Sequence, residues 1–215
     1  MAEIYIALVD TPGLFAEIIR RVIRQRYIHV AIGLDPQMDE AYSIGRRHPA
    51  VPLIAGFEKE EKEKILRAFP SASYMICSME CTEEQKRFVE DRLRAAMEER
   101  FRHHYAVAGL PFILWQIPFY QKNHFTCSSY IAKLLEEAGI CRWEKHFSLV
   151  TPRDFMEYEK KTKIFEGSLR ELVRSERKSY AAGQILLHQS EQLSTEMPAQ
   201  PAYAGPDCRE VTYER

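Results

Sequence analysis

The stretch "HFTCSSYIAKLLEEAGI" sets Cys127 at the point where a loop turns into an amphipathic helix. Apolar Tyr130, Ile131, Leu134, Leu135 and Ala138 follow at offsets of three, four, seven, eight and eleven, and Gly139 is placed to end the helix. Cys127 therefore faces inward at the positive end of a helix. Unsatisfied first-turn amides and the helix dipole favour a thiolate there, with pKa values of roughly 3.5 to 7.5 in such settings when a cation assists. Position alone leaves two readings, a small buried hydrophobe and a nucleophile, and the second requires a base.

Seven histidines are available: His29, His48, His103, His104, His124, His146 and His188. His103 and His104 follow a charged helix and read as solvated, and His124 lies on the approach loop three residues before Cys127. His29 lies in the alternating strand "YIHVAIGLD", on a face shared with Ala31 and Gly33, which are too small to fill the space beside an imidazole. A catalytic imidazole also needs an acceptor on its second nitrogen. If the hairpin closes through a two-residue turn at Asp35 and Pro36, Ala31 faces Glu40, His29 faces Tyr42, and Glu40 becomes a diagonal neighbour of His29. A slip of one residue would turn Glu40 to the opposite face and bring Asp39 or Ser43 into its place.

The elements that must position these residues can be read in order. "EIYIALVDT" is a buried strand, and "AEIIRRVIRQR" has Ile18, Ile19, Val22 and Ile23 at helical spacing. "MDEAYSIG" returns as the hairpin partner of the His29 strand. The two prolines of "RRHPAVPLIAGF" limit any strand there to a short or edge position, and the charged "EKEEKEKILRAF" reads as a short, solvated helix. "SYMICSM" is a further strand. Thr82 and Gln85 then open a helix with a capping box, packed through Phe88, Leu93, Ala96 and Met97. The aromatic, proline-interrupted segment from Tyr105 to Phe125 either folds onto the core or walls a pocket. "TPRD" starts a short helix, "GSLRELVRSERKS" reads as polar and peripheral, and residues 186–215 have the composition of a mobile tail after a domain at 1–185.

Composition excludes several function classes. Thirty basic and 31 acidic residues leave a net charge of -1, which supplies no overall field for nucleic acid or an anionic membrane. No export signal or spanning segment is apparent, so a cytoplasmic protein is expected. The five cysteines are odd in number and scattered, which suits free thiols, and Cys77 and Cys81 have no second ligand pair for zinc. No glycine-rich phosphate loop or metal-binding cluster occurs, so no cofactor, metal or nucleic acid is expected. A redox pairing of Cys127 with Cys141 would have to span about 20 Å along one helix.

"HVAIGLDPQMDEA", followed roughly a hundred residues later by "TCSSYIAKLLEEAGI", resembles the circularly permuted branch of the NlpC-type, papain-like amidases, often called YiiX-like. The resemblance spans Ile4 to Tyr158, although the turn "DPQ" and the missing export signal depart from the family pattern. It implies an α+β fold, a small antiparallel sheet or partial barrel packed against helices. It also implies Cys127 as nucleophile, His29 as general base and Glu40 as the residue that orients His29. The expected activity is hydrolysis of an amide or ester in a small peptide-like substrate, with acyl transfer from a lipid or thioester, or an inert ligand- or partner-binding cleft, as alternatives.

Overall fold

A computed structural model of the chain describes residues 1–12, 16–17, 20–21, 25–48, 51–106 and 109–175. Its first strand, β1 (Ala2–Asp10), is apolar at nearly every position because both its faces are covered. Ile4, Ile6 and Leu8 enter one core, and Tyr5, Ala7 and Val9 enter another. Around it assemble β2 (His29–Gly33), β3 (Ala41–His48), β4 (Val51–Glu60), β5 (Ser73–Cys81) and, late in the chain, a strand at Thr162–Ser168. These six form one antiparallel sheet in the order β4, β3, β2, β1, β5 and the late strand. The fold is α+β, as expected, and residues Met1–Glu176 form one compact unit.

Helices cover both faces. On the first, α2 (Glu83–Glu98) starts at the expected capping box: Gln85 N–H donates to Thr82 Oγ1 at 3.1 Å, and Thr82 N–H to Gln85 Oε1 at 2.9 Å. It buries Val89, Leu93 and Ala96. The same face receives α4 (Cys127–Glu137) and α5 (Pro152–Glu157), through Ile131, Leu134, Leu135 and Phe155. Helix α4 stops where Gly139 takes φ 68°, with Ile140 N–H reaching back to Leu135 O at 2.9 Å. The second face is covered by α1 (Lys62–Ala68), through Ile65 and Leu66, and by helical residues 169–175. A short α3 (Leu110–Leu114) and a parallel pair, β6 (His104–Tyr105) with β7 (His124–Phe125), complete the described elements. The late strand Thr162–Ser168 is accordingly β8.

Four expectations need correction. The β2–β3 hairpin has a longer turn than Asp35–Pro36: Leu34 N–H bonds Glu40 O, and Tyr42 pairs with Ile32 rather than His29, a slip of three residues. The cause is Asp35, whose carboxylate accepts from the N–H groups of Asp39 at 3.0 Å and Glu40 at 2.7 Å and holds a wider loop. Strand β4 is an edge strand, as the prolines required, but it runs ten residues and takes in Glu58 and Glu60 from the segment read as a helix. Much of the aromatic segment neither packs on the core nor walls the pocket, since Leu114, Trp115 and Ile117 are exposed. "SLRELV" is not peripheral, because Leu169, Leu172 and Val173 are buried in the second core. Ile18, Ile19, Val22, Ile23 and the expected tail lie outside the described residues.

Leu172→Ala should therefore lower stability by about 2–4 kcal/mol in chemical denaturation, as for a core leucine. A loss below about 0.5 kcal/mol would restore the peripheral reading.

Candidate active site

Cys127 is the first residue of α4, behind the N-cap Thr126. Thr126 Oγ1 accepts from Ser129 N–H at 3.1 Å, and Ser129 Oγ accepts from Thr126 N–H at 2.9 Å. This closed cap leaves Ser128 N–H free to bond the Cys127 sulfur. Ser128 Oγ donates to Val150 O at 2.6 Å and ties the helix start to the neighbouring chain.

The sheet supplies a second backbone donor. Strands β2 and β3 pair only at Ile32↔Tyr42 and Gly33↔Ala41. Val30 directs its N–H the same way as Ile32, two residues on, but there the ladder has ended. The Cys127 sulfur takes that N–H. The gap between the strands is thus where the helix start meets the sheet.

His29 is the first residue of β2 and hydrogen-bonds Cys127. Its Nε2 lies 2.5 Å from Glu60 Oε1, at the end of β4, and Ser43 Oγ donates to the same oxygen at 2.5 Å. Gly45 completes this face of the sheet: a Cβ there would stand 3.1 Å from Ser43 Oγ and 3.8 Å from His29 Cε1. Two residues past Glu60, Lys62 Nζ bonds Asp39 at 2.8 Å and Gln37 O at 2.5 Å. That clasp fixes the end of β4 to the β2–β3 turn.

Electrostatics make the three groups one unit. Burial opposes ionisation of each, and each is ionised by its neighbours. Burial lowers the pKa of His29, but the Glu60 and Cys127 charges outweigh it and push the value up to about 10. Burial raises that of Cys127, yet the His29 charge, its hydrogen bond and the N–H groups of Val30 and Ser128 bring it below an ordinary thiol. Glu60 is likewise held below the usual carboxylate range by His29 and Ser43, against its burial. By contrast, burial pushes Cys77 and Cys81 up, and Cys141 to about 11. Among the described cysteines Cys127 alone is activated.

Of the sequence candidates, Cys127 and His29 are brought together and Glu40 is not. The three-residue slip turns Glu40 away from His29. Its side chain is 57% exposed, and its carboxylate lies 4.0 Å from Lys59. Glu60 occupies the position beside His29, and Ser43 lies on the same face. The space left by Gly33 is filled by Met38, so the opening beside His29 comes from Gly45. His124 turns to its own loop, with Nδ1 at 2.9 Å from Lys122 O. His103 is not solvated but packs among the rings of Phe57, Phe125 and Tyr130, and burial lowers its pKa. Cys141 sits past the far end of α4, hydrogen-bonded to Tyr158.

A cavity of about 200 Å³ opens beside Cys127, His29 and Glu60. Val9, Ile28, Ile65 and Phe69 give it apolar walls, with Arg47 and Lys64 among its charged lining. Tyr74 also lines it. The Tyr74 hydroxyl is buried without a hydrogen-bond partner, and burial together with Glu60 keeps it protonated, so it can donate. Sequence reading missed Glu60, Gly45 and Tyr74, and offered Ser43 only as a replacement for Glu40 after a one-residue slip. A signal for Glu60 existed in the strand-like "LIAGFE" that precedes the charge run. Among the described residues, no three His, Cys, Asp or Glu side chains are grouped to hold a metal ion. No family model, curated protein or solved structure matches the chain.

In mild acid, Cys127 should react with iodoacetamide well before Cys77, Cys81 and Cys141, because its pKa is lowered by His29 while burial raises theirs. Glu60→Gln should slow that reaction about tenfold or more, one pKa unit being a factor of ten, while Glu40→Gln leaves it unchanged. Equal effects of the two substitutions would contradict the assignment of Glu60.

Proposed function

We propose that this protein is a cysteine hydrolase of the circularly permuted papain-like kind, acting on an amide or ester. The observation that carries the reading is the hydrogen-bonded series Cys127, His29 and Glu60 at a cavity edge, with Cys127 at a helix start. The chain order, a His-bearing strand before the Cys-bearing helix, suits the permuted arrangement.

In this mechanism the Cys127 thiolate attacks the substrate carbonyl carbon, forming the carbon–sulfur bond while the carbonyl π electrons move to oxygen. The oxyanion would be met by the N–H of Cys127, which as the first helical residue has no intrahelical acceptor. Collapse breaks the bond to the leaving nitrogen or oxygen, which takes its proton from the His29 imidazolium. Neutral His29 then accepts a proton from water, the hydroxide attacks the thioester, and Cys127 leaves as thiolate with a carboxylic acid as product. Glu60 holds the His29 ring in orientation and stabilises its charged form throughout, and Ser43 holds Glu60.

The walls formed by Val9, Ile28, Ile65 and Phe69 favour a substrate whose acyl side is apolar, and Tyr74 favours one with a hydrogen-bond acceptor within it. Both suit a peptide-like or fatty acyl group.

Incubation with p-nitrophenyl esters of graded chain length tests the proposal. Mass spectrometry should find a transient acyl adduct on Cys127, absent in Cys127→Ala and accumulating in Glu60→Gln. The rate should hold as pH rises above neutrality and fall as His29 loses its proton near its raised value of about 10. An intact ester after long incubation and an unmodified Cys127 would overturn the hydrolase reading in favour of a binding cleft.

A further inference from the structure

Five large apolar side chains, Leu114, Trp115, Ile117, Phe119 and Tyr120, stand exposed within seven residues, the first three at 56%, 68% and 50%. Their backbone is ordered by hydrogen bonds: Trp115 N–H to Pro111 O at 3.2 Å, Gln116 N–H to Ile113 O at 3.2 Å, and Ile117 N–H to Phe112 O at 3.0 Å. Phe119 stacks on Phe112 with centroids 4.6 Å apart. The apolar chains are therefore held outward by a structured knob. A contiguous patch of this kind on a water-exposed surface marks an interaction site.

The charge pattern says what covers it. The chain has 31 acidic residues, yet none lies between Glu99 and Glu136, and no Lys, Arg, Asp or Glu lies between Arg102 and Lys122. A near-zero net charge hides this segregation. Arg102 bonds Glu99 at the near edge, and at the far edge stand Lys122 and the exposed imidazole of His104, tilted against His124 with centroids 5.1 Å apart. Leu and Ile at the tip, Trp and Tyr beside them and Lys122 at the rim, with no carboxylate in the segment to repel phosphate, form the pattern of a side that enters a lipid headgroup layer. A protein partner would not require the carboxylates to be missing.

We propose that the knob at residues 110–120 seats this protein on an anionic lipid surface. The knob is joined to the catalytic helix, because Tyr120 packs on Phe125 at 5.4 Å and Phe125 precedes Thr126 and Cys127. Vesicle binding is read without turnover, so it stands or falls separately from the hydrolase reading.

The test uses the full chain carrying Trp143→Phe, which leaves Trp115 as the only tryptophan. It should sediment with phosphatidylcholine vesicles containing phosphatidylserine, shift its fluorescence to the blue on binding, and bind less with added salt. In the chain that retains Trp143, Trp115→Ala with Ile117→Asp should weaken sedimentation by about tenfold or more. The circular dichroism and Cys127 alkylation of that variant should remain as in the wild type. Failure to sediment, equal binding to neutral vesicles, or binding that survives both substitutions would overturn the proposal. So would a lipid-free dimer that these substitutions convert to monomer, since a second copy would then own the face.

Discussion

A carboxylate at the end of an edge strand governs this site. Glu60 is buried beside His29 and Ser43, where an isolated charge would be expensive, and it remains ionised because His29 is cationic. His29 in turn remains cationic because Glu60 and Cys127 flank it. Removing any one leaves a buried charge uncompensated, so the three titrate as a set. The clasp of Lys62 on the hairpin turn and the absence of a side chain at Gly45 both serve to keep Glu60 in register with His29.

The sheet meets this constraint by failing to close. Full pairing of β2 with β3 would consume the Val30 N–H and leave no seat for a helix start. Because pairing stops at Ile32↔Tyr42, the sulfur from a helix on one face meets an imidazole whose strand neighbours belong to the other. The two cores on either side of β1 make this possible: α4 is pinned by Ile131 and Leu135 in the first, and the cavity lies beneath Ile65 and Phe69 on the second.

Cys127 and His29 were legible in the sequence because each lies on an element with a clear period. The helix repeat after Cys127 fixes its inward direction, and the alternation around His29 fixes its face. Glu60 was illegible for two physical reasons. It stands among so many charges that its segment reads as a solvated helix, although Lys62 nearby is only 5% exposed. Hairpin register also depends on turn length, and the Asp35 carboxylate stabilises a loop that no two-residue turn rule anticipates. The same limit hid the role of "SLRELV", where charged neighbours masked three core residues.

The central claim is that Cys127 and His29 form a thiolate–imidazolium pair sustained by Glu60. Ultraviolet thiolate absorbance, taken as the difference between wild type and Cys127→Ser across pH, measures it most directly. A thiolate signal should already be present in mild acid, with its midpoint moved upward in Glu60→Gln. A signal that emerges only near the ordinary thiol value of about 8.5, and that is indifferent to Glu60, would contradict it.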